Sequence, residues 1–387
     1  MRHVTDEERR ARLAVRHGLA PGSRMPDPET ATAAVTVLHS TEPATPYLSL
    51  WARVDGFARA DLDRALETDR TLVKQLAMRR TLFVFPRDLL PAAWGSASAR
   101  VAATERARMV KDVVREGHAE DGETWVRAVR DEVLALLAAR PDGLTAAEIR
   151  AGLPALAAVA TAGGIGPTYT NRTLTGLGAD ARVVRGTNTQ HWRVSRPRWT
   201  LMEHWLGEVP APLPPAEGYA ALVRRWLWSF GPGTEADLVW WLGATKGAVR
   251  AALADVGAVE VTVDGGGTGW LLPDDLEPVA APEDWVAMLP VLDATVMGWK
   301  ERGWYLGPHA PLLFDRNGNA GTTAWWNGRV VGCWVQDAAG TVSARLVEDV
   351  PVAARAQLDA EAARLTAWLA GERVGTVYPS PAMRDGS

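Results

Sequence analysis

At 387 residues the chain is long enough for two or three domains that each bury a core, and its formal net charge of −4 leaves any phosphate-binding face to a local patch. A single cysteine, Cys333, excludes a disulfide framework and a cysteine-based metal site, and the seven histidines include no pair at helical ligand spacing. No apolar run is long enough for a signal peptide or a membrane span, which predicts a cytoplasmic protein with no membrane partner.

In chain order, Thr5-Asp6-Glu7-Glu8 opens a helix to about Arg16, with a threonine followed three residues later by an acid, the capping-box arrangement. Thr145 with Glu148 repeats it, and Thr234 with Asp237 approximates it with a shorter acid. A helix is predicted over Thr30 to Leu38, then a polar turn carrying His39, Ser40, Thr41 and Glu42. Pro43 and Pro46 forbid helix continuation there and bias the residues before them towards extended backbone. Helix resumes at Tyr47, with Leu48, Trp51 and Ala52 on one face. Two apolar helices thus flank a rigid elbow that holds an imidazole and two hydroxyls. The plainer alternative is a helix–turn–helix connection in which Ser40 or Thr41 caps a turn.

From Phe57 to Arg115 the chain is basic, and its centre, Met78–Pro86, reads as a strand that enters the core behind Arg79 and Arg80 and ends at Pro86. Helices follow around Asp88 to Val113 and Thr124 to Ala139. The glycine-rich Ala155–Gly166 stretch lacks the Gly-Lys-Ser/Thr signature of a phosphate loop. Behind both Thr145 and Thr234 the order is short helix, turn, second helix (Tyr169 to Leu177; Lys246 to Ala254), then strand–loop–strand, which is the winged-helix plan. The first wing, Ala181 to Thr200, carries Arg182, Arg185, Arg193, Arg196 and Arg198 with no acid, which suits phosphate contacts along a duplex; a solvated arginine-rich loop is the alternative. The second wing, beginning at Asp264, is acidic and glycine-rich. Pro210, Pro212, Pro214 and Pro215 form a stiff connector.

The second half is rich in tryptophan: of eighteen in the chain, fourteen lie between Trp192 and Trp334. Leu289 to Val350 has hairpin signals at Asn317-Gly318 and Asn327-Gly328, predicting a small antiparallel barrel or curled sheet closed by a helix over Val352–Leu369. Lys300 and Arg302 lie among aromatics, either as a DNA-facing surface or as the charged rim of a tryptophan core. The reading is an α+β fold, mainly α, with tandem winged-helix domains and a C-terminal antiparallel β-barrel. Its divisions are 1–139 with the elbow, 140–207 as the second winged helix with its basic wing, 208–217 as connector, 218–280 as the third winged helix, and 281–387 as barrel and closing helix.

Several motifs resemble the bacterial winged-helix DNA glycosylases, a family that comprises the azinomycin-resistance and YcaQ-type enzymes. They are LHSTEPATPYLSLWAR, AMRRTLFVFP, DATVMGWKERGWYLGPH and LFDRNGNAGTTAWWNGRVVGCWVQ, and the resemblance runs from about Ala11 to Leu369. It implies tandem winged helices and a barrel that enclose duplex DNA, and excision of bulky or crosslinked alkylated purines with no metal or organic cofactor. The family's Gln-x-Gln or Gln-x-Asp motif, just before the segment resembling PYLSLWAR, falls on His39 and Thr41, the catalytic candidates. A neutral His39 nitrogen accepts a water's proton and Thr41 holds that water. The DNA-binding candidates are Arg53, Arg79, Arg80, Arg193, Arg196, Arg198, Lys300, Arg302 and Arg316. A monomeric, nucleoid-associated glycosylase acting on double-stranded DNA is the leading expectation. The alternatives are a non-catalytic winged-helix DNA-binding protein or regulator, and a structural protein whose basic stretches only solubilise it.

Overall fold

The computed structural model describes residues 1–153, 156 and 168–384. They form two units, one of Met1–Asp63 with Ala220–Ser387 and one of Arg64–Tyr219.

In the first unit, helix Asp6–Arg16 starts where Thr5 Oγ1 accepts the Glu8 N–H at 3.2 Å. The reciprocal bond expected of a capping box is not made, because the Glu8 carboxylate is taken by Arg2 and Arg12. The approximate box at Thr234 does close: Asp237 Oδ2 accepts the Thr234 N–H at 3.0 Å and Thr234 Oγ1 accepts the Asp237 N–H at 3.1 Å. Asp237 is fully buried, and its Oδ1 accepts the Lys300 and Glu301 N–H groups at 2.7 and 2.9 Å, so the short side chain serves two elements at once. Helices Glu235–Leu242 and Lys246–Asp255 are joined through Gly243, at φ 62, which glycine adopts without steric cost. The hairpin Val259–Val263 with Thr268–Leu271 follows, and strand Arg2–Val4 adds to it in parallel. That long-range pairing buries Val4 against Val261 and Leu271.

Strands Val286–Leu289, Thr323–Trp326, Arg329–Gln336 and Val342–Leu346 make an antiparallel sheet in sequence order. Asn327 and Gly328, at φ 47 and 78, form the tight turn that their dipeptide predicts. The other dipeptide behaves differently: Asn317-Gly318 sits in a loop closed by Asp315 Oδ1, with only an isolated bridge between Phe314 and Ala320. No closed barrel is found among the described residues; Val286–Leu289 and Val342–Leu346 end the sheet. Helix Val352–Leu369 packs against those edge strands through Ala354, Leu358, Ala362, Leu365 and Leu369. Trp299, Trp304 and Tyr305 are core residues, joined edge to face with Phe230 and stacked on Trp325, so this stretch is the tryptophan core and not a stacking surface for bases.

In the second unit, strands Leu72–Ala77 and Thr81–Pro86 pair in a hairpin whose turn holds Arg79 and Arg80, both left-handed at φ 54 and 61. The long predicted helix is interrupted: Leu90–Ala93 passes through a π-helical turn, Trp94–Ser98, into Ala99–Arg115. Gly122–Ala138 then leads to helix Ala146–Gly152, whose capping box between Thr145 and Glu148 closes as expected. Helix Tyr169–Ala179 and the hairpin Val183–Asn188 with Pro197–Leu201 complete the helix, helix, hairpin order, packed around Val126, Val133, Ile149, Leu174 and Leu177. The glycine-rich Ala155–Gly166 stretch lies outside the described residues, apart from Leu156. The proline segment is no free linker, for the Leu213 N–H donates to Pro91 O at 3.0 Å, and the passage between units falls later, at Tyr219–Ala220. No helix of the described residues is long and apolar enough to cross a membrane.

A polar stripe organises the first unit. Thr45, Ser49 and Arg53 succeed one another at four-residue spacing, one face of helix Thr45–Trp51 and the residues after it. Thr45 Oγ1 donates to Val291 O at 2.8 Å and Ser49 Oγ to Asp293 Oδ2 at 2.6 Å. Arg53 grips Asp293 with both terminal nitrogens, at 2.6 and 2.9 Å, and also donates to Thr295 Oγ1 at 2.8 Å. Arg53 and Asp293 are both 0% exposed. Burial pushes the Asp293 carboxyl upward, but Arg53, Ser49 and the Thr295 N–H outweigh it and hold it below the usual carboxylate range. Arg53 therefore cannot reach a phosphate, and its place among the DNA contacts is withdrawn.

Two predictions follow from this network. Arg53→Ala leaves a carboxylate buried without its charge partner and should cost about 3–5 kcal/mol in denaturant unfolding, whereas Arg53→Met with Asp293→Leu should recover much of that. His17, fully buried between Thr295 Oγ1 and Ser229 O, has its pKa lowered to about 3 by burial and by Arg53. The unfolded chain therefore binds a proton that the native state refuses, so stability is complete above the ordinary histidine value and declines as pH falls below it. Urea melts at several pH values should show that decline, with a shallower slope in His17→Asn.

Candidate active site

The elbow is built differently from the helix–turn–helix that its sequence suggests. Asp27 caps helix Pro28–Ala34 by accepting the Thr30 N–H at 2.7 Å, and that helix stops at Ala34, not Leu38. Thr36 takes a left-handed φ of 66, and its hydroxyl donates to Ser229 Oγ at 2.9 Å. A β-branched residue at positive φ is strained, and its bonds to the helix carrying Ser229 hold it there. Leu38–His39 are then extended and buried. Helix resumes at Thr45, two residues earlier than expected, with Pro46 in its first turn where a missing N–H costs nothing.

His39 is 7% exposed, while Thr41 beside it is exposed. The Thr41 N–H points at His39 Nδ1 from 3.4 Å, a long contact. The Thr41 hydroxyl has no hydrogen-bond partner among the described residues and is available to a water. Tyr47 OH donates to Asp63 Oδ1 at 2.5 Å on one side of the following helix, and the Thr45–Ser49–Arg53 stripe anchors another. Arg364 lies over the Trp51 ring at 3.7 Å. The elbow that carries His39 and Thr41 thus leads into a helix tied down on three sides.

The basic candidates divide by what their guanidinium groups already hold. In the first unit Arg302 is half-buried between the Trp240 and Phe314 rings, at 4.8 and 4.7 Å, and donates to Trp299 O at 2.6 Å. Lys300 and Arg316 are exposed. In the second unit Arg198 is spent on Asp142 O, Gly143 O and Glu148, and Arg193 donates to His191 Nδ1 at 3.3 Å. Arg80 pairs with Glu105 at 2.9 Å while remaining 47% exposed, and Arg79 is half-buried in the same turn. Arg196 is exposed, with no side-chain partner among the described residues. Thr45 and Ser49, which position the elbow, escaped the reading of the sequence, although their spacing with Arg53 was visible. In the sequence Glu42 stands only as a polar residue of the turn.

The fold is a mixed helix and sheet fold, and comparison with known proteins places the chain among DNA glycosylases, hydrolases of N-glycosidic bonds. A model of the family described as DNA glycosylase AlkZ-like matches residues 32–368, and the chain belongs to that family. Its fold is similar to that of the Streptomyces sahachiroi DNA glycosylase AlkZ, with a TM-score of 0.75 and 20% identity over 95% of this chain and 98% of that one. No curated protein sequence matches.

Exposed arginines with spare donors should reveal themselves through salt. Replacing Arg196 or Arg316 with Gln should lower duplex affinity evenly across sequences and reduce the slope of log affinity against log salt by about one for each lost phosphate. Arg302→Gln should instead lower stability in a melt, and a salt slope unmoved by Arg196→Gln and Arg316→Gln would remove both residues from the interface.

Proposed function

We propose that this DNA glycosylase excises bulky or crosslinked N-alkylated purines from double-stranded DNA, with His39 as general base and Thr41 holding the attacking water. The observation that carries the reading is the pairing of a buried imidazole with an exposed hydroxyl two residues on, where the resemblance implies the family's glutamine motif. The two helix, helix, hairpin segments, within residues 140–207 and 218–280, are read as winged helices that hold the duplex.

Hydrolysis then runs as follows. The water's oxygen bonds to C1′ of the sugar while one of its protons passes to the unprotonated ring nitrogen of His39. The C1′–N9 bond breaks and its electron pair moves to the purine. In an N7-alkylguanine that pair cancels the ring's positive charge, so the base leaves neutral and needs no general acid. Thr41 positions the water but carries no charge, so the arrangement favours substrates whose bond is already weakened by alkylation. A neutral, undamaged purine, which needs protonation or strong anionic stabilisation to leave, is a poor substrate for it.

Binding and chemistry therefore separate. His39→Ala should slow single-turnover release of an N7-alkylguanine by roughly 10²–10⁴-fold with duplex affinity nearly unchanged, and Thr41→Ala should cost less. His39→Gln restores the family's residue and should retain activity that His39→Leu loses. Wild-type activity should fall on the acid side as the imidazole is protonated. Equal rates for wild type and His39→Ala would make His39 a structural turn residue, and no release from any of several cationic adducts would favour a non-catalytic DNA-binding protein.

A further inference from the structure

The residue after Thr41 faces a cavity. Glu42 and the start of helix Thr45–Trp51 line a partly open space of about 280 Å³, together with Val291, Trp334, Gln336, Arg373 and Gly375. Trp334 is 4% exposed and its Nε1–H donates to Leu289 O at 2.8 Å, so its ring is a fixed wall. Glu42 is held by one oxygen only: Oε1 accepts the Thr376 hydroxyl at 2.9 Å and the Val377 N–H at 2.8 Å. Oε2 has no hydrogen-bond partner among the described residues. A carboxylate keeps acceptor capacity on both oxygens, so Glu42 is a rigidly mounted acceptor with one oxygen to spare.

We infer that this cavity receives the purine ring of the damaged nucleotide and that Glu42 reads it as guanine. The inference rests on the glycosylase reading and extends it to the identity of the base. Ligand pockets run from about 300 to 1,000 Å³, so a space of about 280 Å³ takes one heteroaromatic ring system and not a whole DNA-reactive adduct. A bulky N7 substituent must stay outside. Extruded bases are read by packing against aromatic or apolar walls and by hydrogen bonds to the Watson–Crick edge, which the apolar lining of Leu48, Val291 and Trp334 and the Glu42 carboxylate can supply. Guanine offers two adjacent donors on that edge, N1–H and the exocyclic N2–H, and a carboxylate accepts from them. Adenine presents an acceptor at N1 and is repelled. The alkylated guanine is also cationic, so the Glu42 charge lowers the cost of bringing it out of water, while undamaged guanine gains less. Because Glu42 directly follows Thr41, a ring seated here leaves its sugar on the side of the elbow.

Two variants test this without touching His39 or Thr41. Gly375→Trp starts a side chain at the cavity wall where an added Cβ meets nothing within 4 Å, so it should block the space without disturbing the fold. Glu42→Gln keeps the shape and removes the charge and one acceptor. The probes are free N7-methylguanine, followed through quenching of tryptophan fluorescence, and duplexes carrying either N7-methylguanine or N3-methyladenine in single-turnover excision. The wild type should bind the free guanine adduct and prefer the guanine duplex. Glu42→Gln should lose that preference by roughly 10–10²-fold, the usual worth of a charged hydrogen bond. Gly375→Trp should lose free-base binding and excision together, and His39→Ala should still bind free base. If the wild type excises both bases equally, or if Gly375→Trp binds and cleaves like the wild type with an unchanged melt, the cavity is not the base site although the glycosylase reading stands. If free base binds in a Gly375-sensitive way but no adduct is released from DNA, the pocket survives and the catalytic reading falls.

Discussion

The salt bridge between Arg53 and Asp293 is the constraint on which the first unit depends. Both groups are removed from water, so their mutual attraction has to offset two desolvation costs, and such a pair adds little net stability compared with a well-packed apolar pair. Its effect is to select one arrangement. The guanidinium fork accepts only a carboxylate presented edge-on, and here it meets one that also takes the Ser49 hydroxyl and the Thr295 N–H. Any slip of helix Thr45–Trp51 along the Val291–Thr295 segment would break several of these bonds at once. The elbow that precedes that helix inherits the rigidity.

The same economy explains why several arginines of the first unit are held away from solvent. Arg9 lies 4.2 Å from the centre of the Trp304 ring, Arg12 bridges Glu8 and Asp275, and Arg16 reaches the same aspartate. Arg59 caps Trp368 and Arg364 covers Trp51. A tryptophan-rich core needs partners for its ring faces at the rim, and a flat guanidinium supplies one while keeping its donors satisfied. An arginine in this chain is therefore as often a structural side chain as a phosphate contact. Exposure separates the two, and it leaves Lys300, Arg316, Arg196 and Arg80 as the accessible cations among the candidates.

In the mechanism we propose, an imidazole and a hydroxyl stand where the resemblance implies a glutamine pair, which changes what the elbow can do. Two amides orient a water without changing charge, whereas an imidazole also takes its proton, which couples the site to pH. The negative charge that an acid would bring is absent from Thr41 but present one residue later in Glu42, which lines the neighbouring cavity. In the mechanism we propose, stabilisation of the base and activation of the water fall to different residues.

What the sequence determined by itself is what depends on a few neighbouring residues. The threonine–acid starts at Thr145 and Thr234, the Asn327-Gly328 turn and the helix, helix, hairpin order are decided by local hydrogen bonds and backbone preferences, and all were legible. Even there a long-range partner could intervene, as when Arg12 and Arg2 took the Glu8 carboxylate from Thr5. The tertiary structure alone decided the rest. Strand Arg2–Val4 joins a hairpin near residue 261, and Arg53 finds an acid 240 positions away. Whether a charged side chain meets solvent, a ring or a buried carboxylate depends on which distant segments pack around it, and no short window of sequence contains that information.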